Sequence, residues 1–226
     1  MIRRKIGTLT IGQAPRSDIT PILEKALPAH VTCLHAGILD GLDDDAIAGR
    51  FPVEPGAAVL TSRLLDGRAV VMGKTAVGAA VQLKISELAA AGCEMVVLLC
   101  TGEFHGLHGD GAWLIEPDRL LPPTLNALVG DRQAGILVPL ASQIASELEK
   151  WRGAARTPVF AVASPYTASE DELAAAARQL ADQGADIILT DCMGYTAWHQ
   201  AICARHVSQP VVLSNQLLAD LLRNIL

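Results

Sequence analysis

Short apolar runs recur along the chain, each followed by a loop and then by apolar residues at helical spacing. Ile6–Ile11 reads as a first strand, Gly12-Gln13-Ala14-Pro15-Arg16 as its exit loop, and Ser17 or Asp18 as the cap of a helix running to about Leu27. Val31–Ile38 is a second strand. Ala57–Thr61 and Arg68–Met72 flank Leu65-Asp66-Gly67, and an Asp-Gly pair between apolar runs predicts a hairpin. Val77, Val81, Ile85 and Leu88 then repeat at helical spacing up to a stop at Gly92, and Met95–Leu99 is continuously apolar, as a buried parallel strand requires. The second half repeats the plan. Strands are expected at Ala134–Val138, Pro158–Ala163, Ile187–Thr190 and Pro210–Leu213, with helices at Ser142–Trp151, from Ser169 to about Gln183, at Tyr195–Arg205 and at Asn215–Leu226. Ser169 and Glu172 have capping-box spacing, and the acidic runs Asp43-Asp44-Asp45 and Glu170-Asp171-Glu172 suit helix starts, where negative charge meets the dipole.

The alternation hides a repeat. The segment from Leu88 to Gly102 aligns without gaps on the segment from Leu180 to Gly194 at a constant offset of 92. Leu, Ala, Gly, Cys and Gly are identical, Glu94 matches Asp186 in charge, and three strand positions are apolar in both. Each copy ends a helix at a glycine, runs through a short strand and delivers a Cys-x-Gly at the strand's carboxyl edge. The pattern predicts an α/β chain of two similar lobes, each a parallel sheet flanked by helices, related by a pseudo-twofold axis with a cleft between them. The expected first lobe is residues 1–128 plus 210–226, with a hairpin insertion at about 41–73, and the second is 129–209.

Composition narrows the function. Of 226 residues, 50% are apolar and 19% charged, which is globular; a net charge of −6 argues against indiscriminate nucleic-acid binding. No apolar stretch approaches the roughly 18 residues of a membrane span. The basic start Arg3-Arg4-Lys5 is followed by polar and glycine residues that break a signal sequence, so the expected compartment is the cytoplasm. The five cysteines are odd in number and widely spaced, which predicts free thiols. Cys33, Cys93 and Cys203 lack symmetry and are assigned to packing.

Cys100 and Cys192 differ because both stand at strand ends, where open α/β sheets bind ligands. Each is followed by a glycine that lets backbone approach a ligand, and Cys192 directly precedes a predicted helix whose N-terminus favours thiolate. Two lobes facing each other would set the thiols on opposite sides of one substrate carbon. Sulfurs about 6–10 Å apart would each lie about 3–3.5 Å from that carbon, one acting as base and the other as acid. Gln13, Arg16, Thr101, Gly102, Ser164, Tyr166, Met193 and Gly194 all fall at strand exits and are the expected substrate contacts, with Arg16 able to hold a carboxylate through its fork. The alternative for Arg16 is a solvated arginine at a helix start.

Thr10-Ile-Gly-Gln-Ala-Pro-Arg16, Leu99-Cys-Thr-Gly-Glu-Phe104, Ser164-Pro-Tyr166 and Asp191-Cys-Met-Gly-Tyr-Thr196 together resemble the AroM family, essentially end to end. The paired cysteines place that family in the aspartate/glutamate racemase superfamily, with amino-acid and hydantoin racemases, maleate isomerase and arylmalonate decarboxylase. The resemblance implies a two-lobed α/β fold, a site free of metal and cofactor, one or two catalytic cysteines and a homodimer. Racemases of the group follow the first Cys with Asn-Thr and embed the second in Gly-Cys-Thr. This chain has Thr101-Gly102 and Asp191-Cys192-Met193, which points away from amino-acid racemization and toward another small carboxylic acid.

Rival readings remain open. His105 and His108 follow Cys100 and His199 follows Cys192, a pattern that allows a Cys–His nucleophile, as in a cysteine-dependent hydrolase or lyase, or, less aptly, zinc. Gly106, Gly109 and Gly111 make the His105–His108 segment read as a mobile loop. A non-catalytic protein that binds a small acid would keep the same cleft.

Overall fold

The computed structural model describes residues 4–226; Arg3 of the basic start lies outside the described residues. The chain divides into two compact units, one running up to Pro117 and rejoined by Ala219–Leu226, the other Asp118–Leu218.

In the first unit, β1 (Arg4–Thr10) pairs in parallel with β2 (Val31–Gly37) and with β5 (Met95–Leu98), and β6 (Trp113–Ile115) joins the far side of β5, giving the order β2-β1-β5-β6. Helix α1 (Thr20–Ala26) links β1 to β2, and α3 (Lys74–Ala90) leads into β5. The four-residue apolar repeat of α3 is its core face: Val77, Val81, Ile85 and Leu88 are buried against Leu9, Val96 and Leu98. Between β2 and α3 come α2 (Asp44–Arg50), capped by the Asp43 side chain, and the antiparallel hairpin β3 (Val59–Arg63) and β4 (Ala69–Gly73), as the Asp-Gly signal implies.

In the second unit, β7 (Ala134–Val138) lies between β8 (Val159–Val162) and β9 (Ile187–Thr190), with β10 (Val211–Leu213) beyond β9 and all pairs parallel. Helices α4 (Pro117–Val129), α5 (Ile144–Lys150, after a 3₁₀ turn), α6 (Glu170–Asp182), α7 (Ala197–His206) and α8 (Ser214–Arg223) complete the chain. The order β8-β7-β9-β10 is the first sheet's order with β7 for β1, β8 for β2, β9 for β5 and β10 for β6. Hydrogen bonds outside the ladders follow suit. Glu94 N–H donates to Lys5 O at 2.9 Å and Asp186 N–H to Gln133 O at 2.8 Å; Leu99 N–H donates to Leu9 O at 2.7 Å and Asp191 N–H to Leu137 O at 2.9 Å. Gly7 and Gly135 occupy matching sites, where a Cβ would sit 3.0 Å from Leu88 or 3.2 Å from Leu180, the leucines that open the two repeats. Each central strand thus uses a glycine to let the incoming helix pack closely. The duplication is a property of the fold.

Three local expectations are corrected. Neither Ser17 nor Asp18 caps α1; Ile19 stands at the N-cap without a side-chain bond, because the Asp18 carboxylate is held by Arg16. Helix α7 begins at Ala197, after Thr196, so a turn separates it from Cys192. The segment with His105 and His108 is tethered to α3: His108 N–H donates to Gln82 Oε1 at 2.9 Å, and Gln82 Nε2 donates back to His108 O at 3.0 Å. No helix among the described residues is long and apolar enough to cross a membrane.

Candidate functional site

Cys100 follows β5 by two residues, at the carboxyl edge of the first sheet, and is buried. The chain turns there so that Gly102 N–H donates to the Cys100 sulfur at 3.3 Å. Thr101 is buried beside it. The neighbouring strand β1 ends at Thr10, whose hydroxyl receives Gly12 N–H at 3.1 Å and Arg16 Nη1 at 3.2 Å. Arg16 is therefore at this edge, but it is neither solvated nor open. Its fork closes on Asp18, with Nε to Oδ1 at 2.8 Å and Nη2 to Oδ2 at 2.6 Å, and Nη1 also reaches Ser62 at 3.2 Å. The bidentate grip expected for a substrate carboxylate is made here to the chain's own carboxylate. Gln13 is likewise structural: its Oε1 accepts Leu65 N–H at 2.9 Å and its Nε2 donates to the Leu39 and Leu42 carbonyls, so it staples the hairpin to the β1 exit.

Cys192 holds the matching place after β9, and Gly194 N–H donates to its sulfur at 3.4 Å. The two turns are alike to a tenth of an ångström in this contact. The Tyr166 hydroxyl lies 3.6 Å from the Cys192 sulfur, and its ring packs on Gly194 so closely that a Cβ there would come within 2.5–2.7 Å of three ring and hydroxyl atoms. Ser164 Oγ accepts Tyr166 N–H at 3.2 Å, and Met193 is buried within the turn. Ser164, Tyr166, Met193 and Gly194 thus lie together around Cys192. His199 serves this arrangement indirectly. Its Nδ1 accepts Thr196 N–H at 2.9 Å, which leaves Nε2 to donate to Pro165 O at 3.1 Å, tying the Ser164–Tyr166 loop to the start of α7. His105 is solvent-facing beside Glu103, and His108 bonds Asp110.

The sequence matches the AroM protein family over residues 6–226. The chain belongs to the AroM family. No curated protein matches its sequence. Among solved structures this AroM protein is similar to allantoin racemase from Klebsiella pneumoniae, with a TM-score of 0.60, 12% identity, and 98% of this chain and 87% of that chain covered. It is similar to Picrophilus torridus aspartate racemase at a TM-score of 0.57 and 13% identity, covering 98% of this chain and 94% of that one. A Nocardia farcinica maleate cis-trans isomerase mutant carrying a covalently bound succinylcysteine intermediate gives a TM-score of 0.60 at 17% identity, covering 98% and 92% of the two chains. At these identities the shared property is the aspartate/glutamate racemase fold.

The AroM chain also carries a buried charge cluster that its sequence does not announce. Asp191, one residue before Cys192, accepts Lys150 Nζ at 2.5 Å and Trp151 Nε1 at 3.1 Å. Glu147 lies 3.3 Å and Asp118 3.9 Å from the same Nζ. Burial alone would push the Lys150 ammonium down, but Asp191, Glu147 and Asp118 hold it above the ordinary lysine value. Burial would raise Asp191, yet Lys150 and bonds from Glu147 and Trp151 bring it below the usual carboxylate range. Burial and the Asp191 charge push Glu147 up to about 9, so it keeps its proton at neutral pH. A lysine at the last position of a helix is ordinary in a sequence; its partner is 41 residues away, and only the fold joins them. Among the other thiols, burial pushes Cys33 up to about 11, with Glu24 and Cys93 adding to the effect, and it raises Cys93 and Cys203 as well.

Proposed function

We propose that this AroM protein is a cofactor-independent enzyme of racemase or isomerase type, acting on a small carboxylic acid with Cys100 and Cys192 as its acid–base pair. The observation that carries the reading is the repeated turn: two buried sulfurs at equivalent strand ends, each receiving an N–H from the glycine two residues on. An amide aimed at sulfur favours the thiolate, which is the basic form. One thiolate takes the proton from the carbon next to the carboxyl group, and the C–H electron pair moves into the carboxyl π system. The other thiol returns a proton to that carbon and becomes thiolate in turn. Thr101, Gly102, Ser164, Tyr166, Met193 and Gly194 contact the substrate in this reading. Arg16 and Gln13 hold the strand exit instead, because their polar atoms are engaged by Asp18, Ser62 and backbone. Similarity in fold to racemases and an isomerase supports the reaction type.

The test is proton NMR in deuterium oxide with a panel of small carboxylic acids. The expected result is protein-dependent wash-out of one C–H signal in a subset of the panel. Saturable binding with no exchange in any acid overturns the enzyme reading in favour of a non-catalytic acid-binding protein.

A further inference from the structure

We infer that Asn215, at the start of α8, is the positioning residue that aims the Gly194 N–H at the Cys192 sulfur. The inference rests on reading Cys192 as the reactive thiol. Asn215 is 1% exposed, and its Nδ2 donates to two carbonyls of the turn, Met193 O at 2.9 Å and Tyr195 O at 2.6 Å. Two acceptors on one side fix the amide's orientation, since the oxygen would be repelled by both.

The consequence follows from the planarity of the peptide. Met193 C=O and Gly194 N–H belong to one trans unit and point in opposite directions. Holding the carbonyl on Asn215 therefore turns the N–H toward the sulfur, which receives it at 3.4 Å. The peptide two units along works the same way. Tyr195 O sits on Asn215, and Thr196 N–H, from the same peptide unit, donates to His199 Nδ1 at 2.9 Å. Asn215 is itself seated by its neighbour, because Ser214 Oγ donates to Thr190 O at 2.5 Å at the end of β9. One side chain thus sets two alternate peptide planes, the 193–194 unit serving Cys192 and the 195–196 unit serving the histidine that ties down the Tyr166 loop.

The titratable groups around the Cys192 turn include Tyr166, Tyr195 with Cys203 beside it, Asp191 with Lys150 and Glu147 behind it, and His199. A neutral substitution at 215 leaves all of their charges in place, so a change in the thiol reports the N–H. The test uses the full chain with Asn215→Leu, similar in shape but without donors, and Asn215→Ala as a second variant. Iodoacetamide alkylation of each thiol is followed across pH by peptide mass spectrometry, and Cys100 in the same sample is the internal control. The expected result is a Cys192 midpoint raised by about one pKa unit, so about tenfold slower alkylation at neutral pH, with Cys100 unchanged. A Cys192 profile at the wild-type midpoint, or an equal shift at Cys100, overturns the inference. Loss of the folded state in both variants also overturns it, because Asn215 would then hold the fold rather than one N–H. The readout needs no substrate, so a failure of the deuterium-exchange experiment leaves it intact.

Discussion

The ends of β5 and β9 share a backbone and differ in how they handle charge. Both strands are flanked by equivalent neighbours, both are followed by a Cys-x-Gly turn, and both turns point a glycine N–H at sulfur. At the first end the buried charge is a local pair, Arg16 with Asp18, bonded to Thr10 and to Ser62 of the hairpin. At the second it is a long-range cluster, Lys150 with Asp191, Glu147 and Asp118. After Cys100 comes an irregular loop to β6; after Cys192 comes helix α7. What the two copies share is the turn that shapes a thiol. What distinguishes them is the apparatus around it.

The sharpest way to break this contrast is to remove the cation at each end. Lys150→Met leaves the Asp191 carboxylate buried without its counter-charge and should cost about 3–5 kcal/mol of stability in urea unfolding. Arg16→Met should fall at the lower end of that range, since Asp18 lies in a loop that can turn it toward water. If Lys150→Met loses less than about 1 kcal/mol, the cluster is not what holds the β9 end.

The glycines give a smaller effect and a clear ranking. Gly194→Ala drives a methyl into the Tyr166 ring at 2.5 Å, whereas Gly102→Ala meets the end of the Leu60 side chain at 2.7 Å. An aromatic ring wedged in a turn yields less than a leucine tip, so the first should cost about 1–3 kcal/mol and the second less. Equal thermal shifts would mean that Tyr166 is not locked against its turn.

The smallest effect concerns pH. Glu147 is held at about 9 in the folded chain, against an ordinary value of 4.5, so between those values the folded state keeps a proton that the unfolded state has released. Its contribution to stability is complete below about 4.5 and is lost as the pH rises to about 9. Melting temperatures measured across that window should fall with rising pH in the wild type and fall less in Glu147→Gln. An identical slope in the two proteins would place the proton elsewhere.

The sequence made the frame legible because the repeat lies where packing is most demanding, at the helix end, the buried strand and the cysteine turn. The periodic face of α3 and the Ser169–Glu172 capping box are local patterns, and both are present. Contacts between distant residues were not readable. Asp18 looks like a cap until Arg16 is seen to hold it, and Gln13 looks like a ligand group until Leu65, Leu39 and Leu42 engage its amide. Helix α4 carries no clear helical signature because Pro122 and Pro123 stand inside it, and β6 carries none because three residues show no period. Lys150 and Asn215 gave no local signal at all, since each acts on the Cys192 turn from another helix.

The central claim is that two thiols work as a pair, and the decisive measurement is the rate of deuterium exchange into the responsive acid by wild type, Cys100→Ser and Cys192→Ser. Each serine variant should bind the acid and melt nearly as the wild type does, while losing turnover on the order of 100-fold or more, as removal of a general acid or base typically does. Full exchange rates in both variants would contradict the account.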